Sequence, residues 1–292
     1  MRVRAAAAAL TRPGRRLSSG RSGVARLTPV TVNRQRIDPP GWEPFAAKRP
    51  GSWWLEIVMF AALAVCTVMA SFHTPLIDLD IWVRDFSDAH RPPWFDTLLV
   101  YTNKLGQGGI ISAIALGLAA LLAFRRHTVR PVLAFLVLYG MAGFVLLLKL
   151  FFPRVYPHFP RPDPGPYADA AQSLIYAADR SDLGALGESA VGAYPSGHVV
   201  NAIIWYGFVV LLVGAALTAW QRRVLLFVPV VVVAFSTTYL GYHWLTDSLA
   251  GLFIGVVIMR IMRRIPWATV ALPLWLEPER RYREPVSAAT AP

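Results

Sequence analysis

The sequence predicts an all-α, polytopic membrane protein, a bundle of six transmembrane helices. Apolar residues make up 55% and charged residues only 16% of the 292-residue chain, a balance that is unusual for a soluble domain. Six apolar runs approach the roughly 20 residues that a helix needs to cross the hydrocarbon core of a bilayer. A soluble helical protein can bury one or two such runs, but six favour a membrane bundle. The predicted spans are Trp53–Phe72, Leu105–Phe124, Pro131–Phe152, Val199–Leu217, Val224–Tyr242 and Leu245–Met262.

Two tails flank the predicted membrane domain, which covers residues 51–265. Residues 1–50 carry eleven Lys and Arg against two acidic residues, and they contain no apolar segment typical of a secretory signal. This composition predicts a basic, disordered cytoplasmic tail, although an Arg-rich, acid-poor start is also compatible with an organelle transit peptide. Residues 266–292 are predicted to form a second cytoplasmic tail.

The segment between the first two predicted spans is too polar to cross a membrane. Apolar and acidic residues alternate after Pro75, which predicts a short helix lying on the membrane surface. Pro92-Pro93 should end that helix before a second one begins. Prolines also crowd the later loop 153–197, which predicts an irregular cover rather than another helix.

The distribution of Lys and Arg predicts the orientation in the membrane. Residues 73–109 hold three basic and five acidic side chains, residues 153–197 hold the same numbers, and the opposite loops and tail are strongly basic. Both termini are therefore predicted to be cytoplasmic in a plasma-membrane protein, with the two acidic loops facing the exterior or periplasm. The net charge of +12 follows from this bias, so no nucleic-acid partner is expected, although a basic tail is attracted to anionic lipid.

Two histidine-bearing segments lie at the predicted outer edge of the membrane. Tyr194–His198 places Ser196 and Gly197 at a helix start, where unpaired backbone N–H groups can bind a phosphate. In the second segment His243 and Asp247 are four residues apart, so on a helix they share a face and the carboxylate can orient the imidazole.

Cations gather near the same predicted boundary, at Lys149, Arg154 and Arg161. Taken singly, each feature has an ordinary structural explanation, such as a lysine that snorkels to the interface. Together they indicate a phosphate site with charge for the oxyanions, a nucleophile and an acid for the leaving group. Cys66 is the single cysteine and lies in the first predicted span, and no paired-carboxylate or His-Cys cluster is evident. Disulfides and thiolate metal sites are therefore not expected within one chain.

These residues resemble the type-2 phosphatidic acid phosphatase superfamily, which also includes the vanadium haloperoxidases. Its second motif, Pro-Ser-Gly-His, is complete at Pro195–His198. Its third motif, Ser-Arg-x5-His-x3-Asp, matches at Ser236, His243 and Asp247 with the family spacing. The six-span layout is also similar to that of bacterial membrane members, and the resemblance covers residues 53–262.

Two positions depart from the family pattern. Thr237 stands where the third motif carries arginine, and Tyr156 stands where the first motif, counted from Lys149, has the arginine of its Arg-Pro pair. Arg154 fits an extra arginine often seen two residues earlier, and Arg161 lies five residues further along. Since an arginine presents a bidentate fork that neither threonine nor tyrosine can copy, phosphate binding should differ from that of the family.

The resemblance implies a phosphatidic acid phosphatase type 2-like core and a division of roles within it. His243 would attack phosphorus to form a phosphohistidine, Asp247 would orient that imidazole, and His198 would protonate the departing oxygen and then activate the acceptor. This implied mechanism requires neither a metal nor another cofactor, which agrees with the absence of a paired-carboxylate or His-Cys cluster. The implied phosphate-binding residues are Lys149, Arg154, Arg161, Ser196 and Gly197.

Three functions remain open at this point. The first is a lipid phosphatase that hydrolyses a phosphatidate-like or isoprenoid phosphomonoester or pyrophosphate. The second is a lipid or polyol phosphotransferase using the same intermediate, and the third is a non-catalytic lipid-binding membrane protein. The expected partners are a phosphorylated lipid and the surrounding membrane lipids. Haloperoxidase chemistry is not expected, because it is associated with soluble relatives that carry more cationic ligands.

Overall fold

The computed structural model describes residues 50–72, 74–152, 154–157, 192–273 and 276. Most of the two predicted tails and much of the loop 153–197 therefore lie outside the described residues. Short 3-10 turns at Lys104–Gly106 and Gly214–Ala216 accompany the helices of the described part. These helices are α1 Trp54–Ala70, α2 Pro75–Ala89, α3 Pro93–Asn103, α4 Gly108–Arg126, α5 Arg130–Phe151, α6 Gly197–Val213, α7 Ala219–Tyr239 and α8 Leu245–Arg264.

The predicted all-helical membrane bundle is confirmed. Within the described residues, α4 to α8 are long and apolar enough to cross a membrane, at 19 to 22 residues each when the turn after α6 is included. The apolar α1 has 17 residues and meets α2 at 80°, and counting this bent pair as one span gives a sixth candidate. The protein is thus a multi-pass membrane protein, with five or six candidate spans in the part that the structure describes.

Two helix starts differ from the hydropathy-based prediction for local reasons. α7 begins at Ala219, five residues before the predicted Val224, because Thr218 and Gln221 form a capping box. Thr218 Oγ1 accepts from Gln221 N at 3.2 Å, and Gln221 Oε1 accepts from Thr218 N at 2.8 Å. α4 begins at Gly108 because the residues before it form a 3-10 turn. Neither the capping box nor the 3-10 turn can be recognised from hydropathy.

The two motif-bearing helices, α6 and α8, are the most enclosed spans. In an 18-residue window of each candidate span, 61% of the residues are buried in α6 and 56% in α8, against 17% in α4 and α7. Glycines allow α6 and α8 to pack closely: a Cβ on Gly207 would lie 2.9 Å from Met259 Cε, and one on Gly255 would lie 2.8 Å from Ile203 Cδ1. The motif residues are therefore held by the best-packed pair of helices.

Gly251 sets the approach of α8 to the beginning of α6. A Cβ at this position would lie 2.7 Å from the backbone oxygen of Ser196, a distance that real Cβ atoms do not tolerate. The backbone N–H of Ser196 donates in turn to the carbonyl of Asp247 at 3.0 Å. The first residues of the two helices are thus locked together at one end of the bundle.

Candidate active site

A tight corner between α7 and α8 positions His243. Gly241 adopts a positive φ of 71°, which turns the chain back on itself after α7 ends. The backbone N–H groups of Tyr242 and His243 then both donate to the carbonyl of Thr237, at 3.0 and 3.1 Å. His243 is consequently fixed above the last turn of α7, with the Thr237 side chain fully buried at that turn.

The predicted pairing of His243 with Asp247 is present as a close approach. His243 Nδ1 lies 3.6 Å from Asp247 Oδ2, which is longer than a hydrogen bond, and Asp247 Oδ2 also accepts from Trp244 N at 2.9 Å. Catalytic hydrogen bonds are often long before substrate binds and then tighten. Burial lowers the pKa of His243 below its ordinary 6.5, although the Asp247 carboxylate opposes this shift. The imidazole is therefore neutral at pH 7, as a nucleophile must be.

The start of α6 presents His198 and Gly197 to a cavity. Ser196 is the N-cap of the helix, and its hydroxyl accepts from Val199 N at 3.5 Å. Its side chain is fully buried and faces its own helix. The sequence predicts that Ser196 contacts phosphate, but in this structure the hydroxyl serves the helix start that carries Gly197 and His198.

The two imidazoles line a common cavity. The ring centroids of His198 and His243 are 5.8 Å apart, and the ring planes are inclined at 64°. The cavity between the helices has a volume of about 550 Å³. Its described lining residues are Gly106, Gln107, Gly108, Lys149, Tyr156, Gly197, His198, Asn201, Tyr242 and His243.

Lys149 brings a cation to this cavity from the end of α5. Its ammonium donates to the carbonyl oxygen of Gly192, and its Cε would lie 3.7 Å from a Cβ placed on Gly197. The predicted grouping of Lys149 with the α6 start and both histidines is therefore present. A phosphate beside Gly197 would meet a positive charge and a helix N-terminus together.

Tyr156 occupies the position where the family has an arginine. Its ring centroid is 5.7 Å from that of His243, in an edge-on arrangement. Burial raises the pKa of the Tyr156 phenol, and the negative charge of Asp247 raises it further. The phenol therefore stays protonated at neutral pH and offers a neutral hydrogen-bond donor instead of a guanidinium.

Arg154 lies behind the cavity wall rather than in it. Its fully buried guanidinium donates to Asp247 Oδ1 at 2.5 Å, to Asp80 Oδ2 at 2.8 Å and to Thr246 Oγ1 at 2.6 Å. It also lies over the ring of Trp244, 5.3 Å from the centroid. The sequence predicts that Arg154 binds phosphate, but here it neutralises two buried carboxylates and holds Asp247 in place. Arg161, the other predicted arginine, lies outside the described residues.

Asp80 is a member of this network that sequence reasoning missed. It projects from α2 and is buried, with Oδ1 accepting from Thr246 N at 2.9 Å and Oδ2 accepting from Thr246 Oγ1 at 2.5 Å. These bonds join α2 to the first turn of α8. The predicted surface helix therefore also supports the residues behind His243.

The glycine-rich start of α4 is the second feature that sequence reasoning left unused. Gly106, Gln107 and Gly108 line the cavity, and a Cβ on Gly108 would lie 2.6 Å from Asn201 Nδ2. A cluster of glycines directly before an apolar helix, on the same predicted side as the histidines, is the signal that could have identified it. Two helix N-termini, those of α4 and α6, thus open onto one cavity. Among the described residues, no three His, Cys, Asp or Glu side chains are grouped as a metal site requires.

The comparisons with known proteins agree with this arrangement. Residues 130–271 match the family model of the PAP2 superfamily. The fold is similar to the crystal structure of the first transmembrane PAP2 type phosphatidylglycerolphosphate phosphatase from Bacillus subtilis, with a TM-score of 0.55 and 20% identity over 72% of this chain and 94% of that chain. No curated protein matches the sequence. The matched residues include both histidine motifs, so this multi-pass membrane chain is similar to the PAP2 superfamily in that region and has a PAP2-like fold.

Proposed function

We propose that this protein is an integral-membrane phosphatase that hydrolyses a lipid phosphomonoester or pyrophosphate through a phosphohistidine. The observation that carries the proposal is the pair of imidazoles, His198 and His243, which line one cavity with ring centroids 5.8 Å apart, together with Lys149. A nucleophile on one side of a phosphoryl group and an acid on the other are what an in-line displacement requires.

In the first half of the proposed reaction, His243 attacks phosphorus through the ring nitrogen that does not face Asp247. The new N–P bond forms as the bond from phosphorus to the lipid oxygen breaks, and His198 gives its proton to that oxygen. Asp247 holds the proton on the other ring nitrogen and stabilises the positive charge that develops there.

In the second half, His198 accepts a proton from water. The resulting hydroxide attacks the phosphohistidine, the N–P bond breaks, and inorganic phosphate leaves with His243 neutral again. Lys149 and the backbone N–H groups at the start of α6 stabilise the charged phosphoryl oxygens in both steps. Arg154 and Ser196 act as positioning residues, and Arg161 stays a predicted phosphate contact.

The proposed substrate is a lipid because the cavity lies at one end of a bundle of apolar spans. The name of the similar Bacillus subtilis protein, a phosphatidylglycerolphosphate phosphatase, supports a phospholipid phosphate as the substrate class. An isoprenoid phosphate or pyrophosphate presents the same chemistry to the two histidines and stays within the proposal.

A phosphotransferase is the second candidate, and the two missing arginines favour it. With Thr237 and Tyr156 at these positions, the phosphate has fewer cations than two guanidinium groups would supply. Thr237 Oγ1 is buried and has no hydrogen-bond partner among the residues that the structure describes. In this variant of the mechanism His198 activates a lipid or polyol hydroxyl instead of water.

The two candidates separate in a single assay with purified protein in detergent. Lipids that carry a labelled terminal phosphate are incubated with and without a polyol or lipid acceptor. Release of inorganic phosphate supports the phosphatase, whereas label passing to the acceptor with little inorganic phosphate supports the transferase. Inertness towards a panel of phosphatidate, phosphatidylglycerolphosphate and isoprenoid phosphates would contradict both and favour a non-catalytic lipid-binding protein.

The contact at Gly251 leads to a first quantitative prediction. We expect Gly251→Ala to lower turnover by about 10²-fold, because the added Cβ pushes the start of α6 away from α8 and misplaces His198 by a fraction of an ångström or more. The matched control is Gly140→Ala on α5, where a Cβ meets nothing within 4 Å. Equal turnover in the two variants would show that the Gly251 contact does not position the site.

The proposed orientation places both termini in the cytoplasm and the catalytic cavity at the exterior or periplasmic face. We expect tags at Met1 and Pro292 to be protected from external protease in intact cells, and a tag beside Asp169 to be cleaved. The reason is the Lys and Arg imbalance between the two sets of loops. A protected Asp169 tag together with an exposed terminus would reverse the orientation.

The missing arginine of the third motif can be restored directly. We expect Thr237→Arg to tighten inhibition by vanadate about tenfold, since a charged hydrogen bond is worth about 1.5–3 kcal/mol before the cost of desolvation is subtracted. If the protein is a transferase, the same change should block transfer while hydrolysis persists or rises. Thr237→Met is the uncharged control of comparable length. Unchanged vanadate inhibition and unchanged activities would mean that the side chain at 237 does not reach the phosphate.

A further inference from the structure

A second cavity lies at the end of the bundle opposite the two histidines. It has a volume of about 580 Å³ and is formed by α6 from Ile203 onward, the second half of α8, the first turns of α7 and the beginning of α1. Its walls are mainly apolar, with Ile203, Gly207 and Val256 among them. Four arginines also line it, at positions 222, 223, 260 and 263. We call this cavity the groove and its arginine-lined opening the mouth. Apolar walls accommodate an acyl chain, and the arginines at the mouth accommodate an anionic head group.

The groove reaches well into the membrane-spanning part of the bundle. From Arg263 to Val256 on α8 is two helical turns, or about 10 Å at the rise of an α-helix. On the α6 side the lining continues through Ile203 and Gly207. The space therefore runs along the helix axes, in the direction of a lipid chain, rather than across them.

The arginines at the mouth differ in how they are paired. Arg260 lies 3.0 Å from Glu56, which also pairs with Arg264 at 2.7 Å. Arg222 donates to the carbonyls of two residues that precede α7. Arg223 and Arg263, in contrast, have no carboxylate partner among the residues that the structure describes. The mouth thus carries an excess of positive charge that the described side chains do not neutralise.

We propose that this groove is a binding site for an anionic phospholipid of the surrounding bilayer, with the lipid phosphate at Arg223 and Arg263 and one acyl chain along α6 and α8. The excess of arginine disfavours a zwitterionic lipid, and the apolar walls disfavour a soluble phosphate ion, which would leave them exposed to water. The groove lies on the predicted cytoplasmic side, where anionic lipids attract basic residues. This site is separate from the catalytic cavity and does not depend on the proposed phosphatase activity.

The proposal is tested by native mass spectrometry of the full-length protein in detergent, titrated with phosphatidylglycerol or phosphatidylcholine. We expect phosphatidylglycerol to bind more tightly than phosphatidylcholine, and the double variant Arg223→Gln/Arg263→Gln to weaken phosphatidylglycerol binding about tenfold. The matched control is Arg125→Gln/Arg126→Gln, which removes two exposed arginines at the same end of the bundle but outside the groove. The control should bind phosphatidylglycerol as the unmodified protein does.

Several results would overturn the proposal. Equal affinity for the two lipids, equal loss in the groove variant and the control variant, or displacement of phosphatidylglycerol by millimolar inorganic phosphate would each do so. A photo-crosslinking residue in place of Leu226, which lines the groove and is 39% exposed, identifies the occupant in membranes. A phospholipid adduct supports the proposal, whereas a crosslink to residues 277–292 of the same chain or to a second copy contradicts it.

Discussion

His243→Ala is expected to abolish turnover, with a loss of roughly 10⁴-fold or more, because it removes the proposed nucleophile and leaves only binding and positioning. The structure gives no second side chain with the same relation to His198 across the cavity among the described lining residues. Release of phosphate from a lipid phosphate is measured in detergent and normalised to folded protein from gel filtration. Near-normal activity in folded His243→Ala protein would contradict the mechanism.

Two companion variants make this result specific. Asp247→Asn should lower turnover by roughly 10²–10⁴-fold, since the amide no longer holds the proton on His243 that the mechanism requires. His90→Ala should leave turnover unchanged, because His90 is exposed at the end of α2, outside the cavity. The Tyr239 hydroxyl bonds to the backbone oxygen of His90, so that contact survives the substitution.

Arg154→Met is expected to destabilise the protein by about 3–5 kcal/mol, because it leaves the buried carboxylates of Asp80 and Asp247 without their shared cation. Activity should fall as well, since Asp247 loses the bond that holds it beside His243. The apparent midpoint of thermal unfolding in detergent and the yield of monodisperse protein report the first effect, and phosphate release reports the second. Arg154→Lys should cause an intermediate loss of stability and activity, because lysine keeps the positive charge but cannot donate two parallel hydrogen bonds as a guanidinium does.

Arg84 provides the matched control for Arg154. Both guanidinium groups lie over the Trp244 ring, at 5.4 Å for Arg84 and 5.3 Å for Arg154. Arg84, however, pairs with Asp85, whose side chain is 59% exposed, so that pair should contribute at most about 1 kcal/mol. We therefore expect Arg84→Met to shift the unfolding midpoint much less than Arg154→Met. Equal shifts would mean that packing on Trp244, rather than the buried charges, explains the effect.

The parts of this protein that could be predicted from sequence are those that depend on the pattern of neighbouring residues. Apolar runs predicted the spans because a bilayer requires about 20 consecutive apolar residues. Spacing by four residues predicted the approach of Asp247 to His243, since such neighbours share a helix face. The start of α7 was displaced from its predicted position because the cap formed by Thr218 and Gln221 is a matter of side-chain hydrogen bonds and not of hydropathy.

The network behind the site could not be predicted, because its members are distant in the sequence. Asp80 and Arg154 are 74 residues apart, and Asp80 is one of several aspartates on a helix with alternating polarity. Nothing local separates the buried Asp80 from the exposed Asp78 two residues earlier; only the packing of α2 against the start of α8 does so. The same packing turns Arg154 away from the cavity, which its position after Lys149 gave no reason to expect.

The most direct test of the proposed mechanism is the trapping of the phosphorylated intermediate. Protein is mixed with a lipid that carries a labelled terminal phosphate, quenched within milliseconds in base, and mapped by mass spectrometry under conditions that preserve phosphohistidine. We expect label on His243 of the unmodified protein and none on the His243→Ala variant. Steady turnover with no label on His243, or label on His198 instead, would contradict the account.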